Sequence, residues 1–356
     1  MRIAIATTQV PFIHGGAEVM TKGLCDALAL AGHDVEIVTI PFRFSPPSQV
    51  FANMDYWQSQ NFDGFDCGAI DEVIALTFPA YYLNHKNKII WLMHQHRSVY
   101  ELYDTPYGEA SGNPESALLH DKVRSLDTSS MSSAKAVYTI SKTVSNRLNA
   151  FNGVSSVPLY QPPPHANKFM PGEIYPYIFC PSRLEALKRQ DLLIRAMQLV
   201  KEPVFAVIAG QGGMQQAYVD LANSLGLSHR IKFVGRIDDV AMRRYYSNSL
   251  AVFFGPYAED YGFVTLEAML SAKPVITCTD SGGPTEFISD GETGYVVSPE
   301  PSAIANAINS GWLDRGMSLE MGNNARAHYQ ALGISWGNVV DTLIGGGGHE
   351  YSNRCP

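Results

Sequence analysis

Strand-length and helix-length segments alternate along most of this 356-residue chain, and that alternation constrains its architecture more than any single motif. Arg2–Thr8 reads as a continuous apolar strand of the kind buried on both faces. The glycine loop His14-Gly15-Gly16-Ala17-Glu18 follows. Ala17–Ala31 then carries apolar residues at helical spacing and stops at Gly32, before Asp34–Ile40 resumes a strand. Further strands are predicted at Glu72–Phe78, Lys88–Met93 and Ala134–Ile140, the last leading into a helix that Ser141 can cap. Beyond Pro164 a second series begins, with strands at Tyr177–Pro181, Val204–Ala209, Arg230–Val234, Leu250–Phe254 and Pro274–Cys278. Its helices are predicted at Arg189–Val200, Met214–Leu225, Asp239–Ser249 and Gly262–Ser271. Strands spaced by helices need crossover connections, so each series predicts an α/β domain with a parallel sheet covered by helices.

The length suits two domains rather than one. The Pro-rich segment Val157–Pro164 reads as their linker, giving an N-terminal domain over 1–164 and a C-terminal domain over 165–335. A last helix, Trp336–Ile344, is predicted to complete the first domain, and 345–356 to form a flexible tail opened by Gly345–Gly348. Pro41–Phe65 and Tyr103–Pro114 lack clean periodicity and read as long loops, where recognition of an acceptor resides.

Composition removes several function classes. With 34 Asp and Glu against 26 Lys and Arg the chain carries −8, and no basic run tracks phosphates, so nucleic acid is excluded as the expected partner. The five cysteines are scattered, odd in number and match neither a disulfide framework nor a zinc site, which fits a reducing cytoplasm. No signal peptide is legible at Met1–Ala6 and no apolar run reaches the roughly 18 residues that span a bilayer, leaving peripheral contact as the form any membrane association takes.

The segment from Glu259 through Asp260, Tyr261, Gly262, Phe263, Val264, Thr265 and Leu266 to Glu267 follows a buried strand and opens a helix, the position of a ligand site. Gly262 lets backbone amides approach an anion at the helix start. Glu267 can offer its carboxylate to ribose hydroxyls, and Glu259 to hydroxyls of a sugar. Arg183 and Lys188, also between a strand and a helix, can neutralise a pyrophosphate leaving group without a metal; Arg189 beside Lys188 leaves the second cation open. Gly15 and Gly16 allow a loop backbone to approach a diphosphate or sugar, without the third glycine of a dinucleotide-binding dehydrogenase. His94 ends a strand where it can hydrogen-bond a sugar, with His96 two residues on as the other candidate. Gly210-Gln211-Gly212, Val234-Gly235-Arg236 and Ser281-Gly282-Gly283-Pro284-Thr285-Glu286 each mark a further strand end. Taken singly, each of these has an ordinary reading as well, as a turn, a helix start or a core or surface side chain.

Together they resemble retaining glycosyltransferase family 4. The resemblance is carried by two Glu residues separated by seven and followed by Ala-Met-Leu-Ser-Ala-Lys-Pro-Val-Ile, by Arg183 and Lys188, and by the first glycine loop with Ala17 and Glu18. It implies the GT-B fold, two Rossmann-like domains facing each other across a cleft. It places the donor-sugar carboxylate at Glu259, the ribose carboxylate at Glu267, an acidic residue near the donor at Glu286, and the base near Gly235 and Arg236. Gly15, Gly16, Gly210, Tyr261, Gly262, Phe263 and Val264 complete the implied donor site. Where the family has His followed by Asp, this chain has His94-Gln95. The implied activity is metal-independent, cofactor-free transfer of a sugar from UDP or GDP to a glycan, lipid-linked or small-molecule hydroxyl, with retained anomeric configuration. A sugar-nucleotide epimerase of the same fold and a non-catalytic glycan- or nucleotide-binding partner are the alternatives.

Overall fold

The computed structural model describes residues 1–13, 15–65, 68–108 and 114–345. The chain divides into two compact units, one from Met1 to Gln161 joined by the chain from Ile334 on, the other Pro162–Gly333.

The first unit runs β1 (Arg2–Gln9), α1 (Gly16–Leu30), β2 (Asp34–Pro41), α2 (Pro47–Ser59), β3 (Glu72–Ala75), β4 (Lys88–Leu92), α3 (Pro114–Ser132), β5 (Ala136–Thr139), α4 (Lys142–Asn152) and β6 (Val157–Pro158). Its strands form one parallel sheet in the order β2-β1-β3-β4-β5-β6. β1 is buried along most of its length, as an interior strand covered on both faces must be. Gly32, at φ 87°, ends α1 in the left-handed region, and the Ser141 hydroxyl caps α4 by accepting from Val144 N–H. The closing helix, Trp336–Ile344, lies against α1: a Cβ at Gly23 would come within 2.2 Å of the Trp336 indole, which also meets Trp91 edge-on at 6.2 Å.

The second unit runs β7 (Tyr177–Pro181), α5 (Gln190–Leu199), β8 (Phe205–Ala209), α6 (Gln215–Ser224), β9 (Ile231–Gly235), α7 (Asp239–Asn248), β10 (Ala251–Phe253), α8 (Phe263–Leu270), β11 (Val275–Cys278), β12 (Gly294–Val297), α9 (Pro301–Leu313) and α10 (Arg315–Ala331); the closing helix is then α11. Its six parallel strands lie in the order β12-β11-β10-β7-β8-β9. From β7 the chain winds outward to β8 and β9, then returns to lay β10 on the other side of β7. The connections leaving β7 and β10 therefore diverge, and the carboxyl ends of these two strands frame the crevice in which doubly wound sheets bind ligands. The first unit has the same reversal between β1 and β3.

Two predicted loops need correction. Pro41–Phe65 contains α2, thirteen residues long, which buries Val50, Met54 and Trp57 on one stripe beneath polar neighbours that mask the period in the sequence. Pro114, predicted as the end of a loop, opens α3, where its missing N–H costs no helical bond. The Pro-rich linker also begins as sheet: Val157 and Pro158 pair with Tyr138 and Thr139 at an edge, the place a strand tolerates proline. Of the predicted tail, residues 346–356 lie outside the described residues, as does His14 of the first glycine loop. Among the described residues no helix is long and apolar enough to cross a membrane.

Candidate active site

The carboxyl edge of the second sheet is fastened loop to loop. Ser182 N–H after β7 donates to Ala209 O at the end of β8, and Gly210 N–H after β8 donates to Gly235 O at the end of β9. Gly210 sits at φ 137° with room for no side chain, since a Cβ would lie 1.8 Å from Ser182 O. On the other side of the switch point, Ala258 N–H and Glu259 N–H donate to Asp280 O and Ser281 O, and Gly283 N–H donates back to Glu259 O. Five loops thus stand in a row set by strand spacing, roughly 19 Å from the β9 loop to the β11 loop. They carry Gly235 and Arg236, then Gly210, then Arg183 and Lys188, then Glu259 to Val264, then Glu286.

At the centre of this row the Lys188 ammonium lies 2.5 Å from Glu259 Oε2 and 5.7 Å from the centroid of the Phe254 ring. Both side chains are mostly buried, at 15% and 18% exposure. The neighbouring cation is committed elsewhere. Arg189, at φ 50°, turns inward and grips the Asp280 carboxylate with two bonds of 2.8 and 2.6 Å while donating to Gly255 O and Pro256 O. Such a fork is a scaffold for the β10 and β11 loops, which leaves Lys188 as the cation beside Glu259. Arg183 is exposed, and among the described residues its guanidinium makes no hydrogen bond. Arg236 is exposed in the same way.

Gly262, at φ 87°, turns the chain into α8; a Cβ there would press on Phe254 at 2.6 Å. Tyr261 is buried edge-on against Phe263 and Phe287, while Phe263 and Val264 are half-buried. One turn into α8 the Glu267 carboxylate accepts a 2.6 Å bond from Tyr246 Oη. Burial raises its pKa to about 7 despite that bond, and Asp239 adds to the rise. Glu286 is half-buried at the end of a short 3-10 turn, Gly283–Glu286.

In the first unit, Gly15 caps α1 and its N–H donates to Glu18 Oε2 at 2.7 Å, so the glutamate closes the helix start from within. His94 Nδ1 lies 2.8 Å from Gln95 O. A carbonyl only accepts, so Nδ1 carries a proton and Nε2 is left facing away from this bond. His96 is 2% exposed between the Phe78 and Phe44 rings, and burial, then His94, pushes its pKa down to about 4. Both histidines line one pocket with Glu18 and Thr8.

A buried carboxylate holds this corner. Asp127, fully buried in α3, accepts from Tyr81 and Tyr82 hydroxyls on Oδ1 and from the Tyr100 hydroxyl and Gln95 amide on Oδ2. Burial raises its pKa to about 6 against those four bonds. Through Gln95 the network reaches the carbonyl that orients His94. Its only sequence signal is a carboxylate on the apolar stripe Leu119, Val123, Asp127, Met131 of α3. Among the described residues no three His, Cys, Asp or Glu side chains are grouped as a metal site.

Residues 166–328 match the family model described as glycosyl transferases group 1. The second unit belongs to that family. The group 1 domain carries Arg183, Lys188, Gly210, Gly235, Arg236, Glu259 to Val264, Glu267 and Glu286. A D-inositol 3-phosphate glycosyltransferase of Nocardia farcinica is 31% identical over 185 residues, 49% of this chain and 40% of its own length. A D-rhamnosyltransferase of Pseudomonas aeruginosa is 35% identical over 149 residues, 41% of this chain and 38% of its own. The chain thus spans about two fifths of the length of these curated relatives. Among solved structures, sucrose-phosphate synthase of Thermosynechococcus elongatus superimposes with a TM-score of 0.75 at 19% identity, covering 96% of this chain and 97% of its own. Anabaena HepE in complex with UDP and glucose gives 0.70 at 19% identity, with 97% and 98% covered. Both show the fold of two Rossmann-like α/β domains, the GT-B architecture.

Proposed function

We propose that the chain is a retaining glycosyltransferase that moves a hexosyl group from a UDP- or GDP-sugar to a hydroxyl acceptor without a metal ion. The observation that carries this reading is the Lys188–Glu259 pair at the switch point of the group 1 domain, flanked by exposed Arg183 and by the Gly262 start of α8. The glycosyltransferase activities of the relatives, and the complex of HepE with UDP and glucose, support it.

In this reading Arg183 and Lys188 hold the diphosphate as negative charge grows on it, and the amides following Gly262 add their dipoles. Glu259 accepts from donor-sugar hydroxyls and Glu267 from the ribose. His94 hydrogen-bonds a sugar hydroxyl through Nε2. As the bond between the anomeric carbon and the phosphate oxygen breaks, the acceptor oxygen bonds to that carbon from the same face. Its proton passes to the departing phosphate, so the products are the glycoside and a nucleoside diphosphate. No protein nucleophile is invoked.

The test is a transfer assay with UDP- and GDP-hexoses and a panel of glycan, lipid-linked and small-molecule acceptors, the product anomer being read by proton NMR. An α-donor giving an α-linked product supports the reading; an inverted product refutes retention. A donor isomerised with no acceptor present makes the chain an epimerase, and unimpaired function of a Glu259→Ala variant makes it a binding partner.

A further inference from the structure

The two faces of the second unit's sheet are not covered alike. On one face Ile178, Cys180, Ala206, Ile208 and Ile231 lie in a core closed by side chains of α5, α6 and α9. The register puts Tyr177 beside Phe205, and Val207 beside Lys232, on the opposite face. There α7 lies over β7: Tyr177 Oη donates to Tyr245 O at 2.8 Å, and the Phe179 ring stacks on Tyr245 at 5.3 Å. Beyond α7 the strip formed by β8 and β9 is open to solvent. Phe205 is 47% exposed, Lys232 is exposed, and a groove of about 450 Å³ runs along Pro176, Tyr177, Phe205, Val207, Arg230 and Lys232.

We propose that this strip is the docking surface for one helix of a partner protein, an acidic amphipathic helix whose apolar stripe covers Phe205 and Val207 and whose carboxylates meet Lys232 and Arg244. The strip begins at the amino ends of β7, β8 and β9, the edge opposite the loops that carry Lys188 and Glu259, so the proposal does not depend on the transferase reading.

Parallel sheets bury both faces beneath helices, and β8 is an inner strand, so a half-exposed phenyl ring on it lacks the cover that such a position ordinarily has. The width of the strip selects what can supply that cover. From β7 to β9 is about 10 Å, two strand spacings, which is the diameter of one helix with its side chains. A helix packed beside α7 would have its axis about 8–10 Å away, over β8 and β9.

Charge then selects the kind of helix. Arg230 is spent inside the fold, donating to Met197 O, Val200 O, Glu202 O and Val204 O around the end of α5. Lys232 on β9 and Arg244 on α7 bound the strip on its two sides, and both are exposed. Among the described residues neither makes an ion pair or a side-chain hydrogen bond. Burial raises the Tyr177 pKa and Arg244 opposes that rise, which sets the guanidinium near the Tyr177 side of the groove. Glu173, an acid on that side, is taken by the Tyr175 hydroxyl at 2.8 Å. The rim is therefore positive on a chain whose net charge is −8. Carboxylates flanking an apolar stripe complement it, and a basic helix is repelled.

The experiment uses the full chain and two fluorescein-labelled peptides of about 18 residues, long enough to hold a helix. Both carry Leu at i, i+3, i+4 and i+7, one with Glu on the flanks and the other with Lys. By fluorescence anisotropy the Glu peptide is expected to bind roughly tenfold more tightly than the Lys peptide, and more weakly as salt is added. Lys232→Glu should remove that preference. Phe205→Thr, which keeps a β-branched residue in the strand, should weaken the Glu peptide by roughly tenfold. Melting curves check that both variants fold, and Lys232→Glu, a change at an exposed side chain, decides the matter if Phe205→Thr does not. Absence of binding by the Glu peptide, equal binding by the Lys peptide, or binding indifferent to Lys232→Glu overturns the proposal. Vesicles of phosphatidylcholine and phosphatidylglycerol that retain the wild type but not the Lys232→Glu chain, with the peptide unbound, would overturn it in favour of a membrane. A dimer in analytical ultracentrifugation that Phe205→Thr dissolves, again with the peptide unbound, would overturn it in favour of a second copy.

Discussion

Lys188 Nζ stands 2.5 Å from Glu259 Oε2, with more than four fifths of each side chain withdrawn from solvent. A neutralised pair of this kind is available to both ends of a sugar diphosphate, the ammonium to the phosphates and the carboxylate to the sugar hydroxyls. Lys188→Met and Glu259→Ala are each expected to lower kcat/KM by roughly 100- to 1000-fold, the scale of losing one preorganised charge at a reacting centre. The double variant should lose little more than either single one, because the two act as a unit. Steady-state kinetics on the four proteins of this cycle checks it; fully additive losses would mean that the contact has no functional weight.

The proposed donor role of Glu267 carries a pH dependence. Its folded pKa of about 7 lies above the ordinary 4.5, so the folded protein holds the proton more tightly than the unfolded chain does. The stability contributed by this group is complete below about 4.5 and is lost as pH rises through about 7, by an amount of roughly 3 kcal/mol for such a shift. If Glu267 binds the ribose as proposed, its hydroxyls bond to the ionised form, and donor affinity should fall as pH drops below 7, approaching tenfold per unit. Calorimetric titration of UDP and GDP between pH 5.5 and 8.5 reads this limb. Glu267→Gln should flatten it, and Tyr246→Phe, which removes the bond that stabilises the carboxylate, should move it upward.

Gly282 holds the backbone of Glu259 in place. At φ 73° it leaves 2.5 Å between a Cβ and Glu259 O, so Gly282→Ala must push the Glu259 loop aside. The expected outcome is a loss of turnover of at least 100-fold with a fall in melting temperature of only a few degrees, because misplacement by about 1 Å costs that much in rate. Turnover preserved within threefold would show that the position of Glu259 is not set by this contact.

Asp127 should matter to stability first. Asp127→Ala strands three phenol hydroxyls and the Gln95 amide in the interior of the first unit, each lost partner costing about 1 kcal/mol or more. A fall in denaturation midpoint corresponding to at least 3 kcal/mol is expected, and Asp127→Asn should recover part of it. Urea unfolding followed by near-ultraviolet circular dichroism measures both.

The parallel sheets of both units were legible because buried strands, helix caps and glycine stops repeat in register: Arg2 to Thr8 with Gly32, and the helix Trp336 to Ile344, needed only local pattern. Glu259, Gly262 and Glu267 were legible as a strand-to-helix turn with acidic flanks. The α2 helix was hidden because Val50, Met54 and Trp57 stand among Gln, Asn, Asp and Ser, which favour a loop reading. The separate duties of Lys188 and Arg189 were not legible, since they depend on Arg189 turning inward through a left-handed φ toward Asp280, 91 residues away. The convergence of Tyr81, Tyr82, Gln95 and Tyr100 on Asp127 is likewise tertiary, as is the closure of Phe42, Phe44 and Phe78 around His96.

In the proposed function the second unit grips a sugar-bearing diphosphate with fixed side chains and helix ends in place of a divalent ion. The most direct measurement is a thermal-shift panel of UDP- and GDP-sugars in excess chelator, with the wild-type chain and with Arg183→Ala combined with Lys188→Met. At a hundredfold excess over its dissociation constant a donor adds about 2.7 kcal/mol to the stability of the fold, enough to raise the melting temperature of the wild type by several degrees. The account predicts that shift for one nucleotide class in the wild type, undiminished by chelator and absent from the double variant. A shift that vanishes with the metal, or one that survives the loss of both cations, would contradict it.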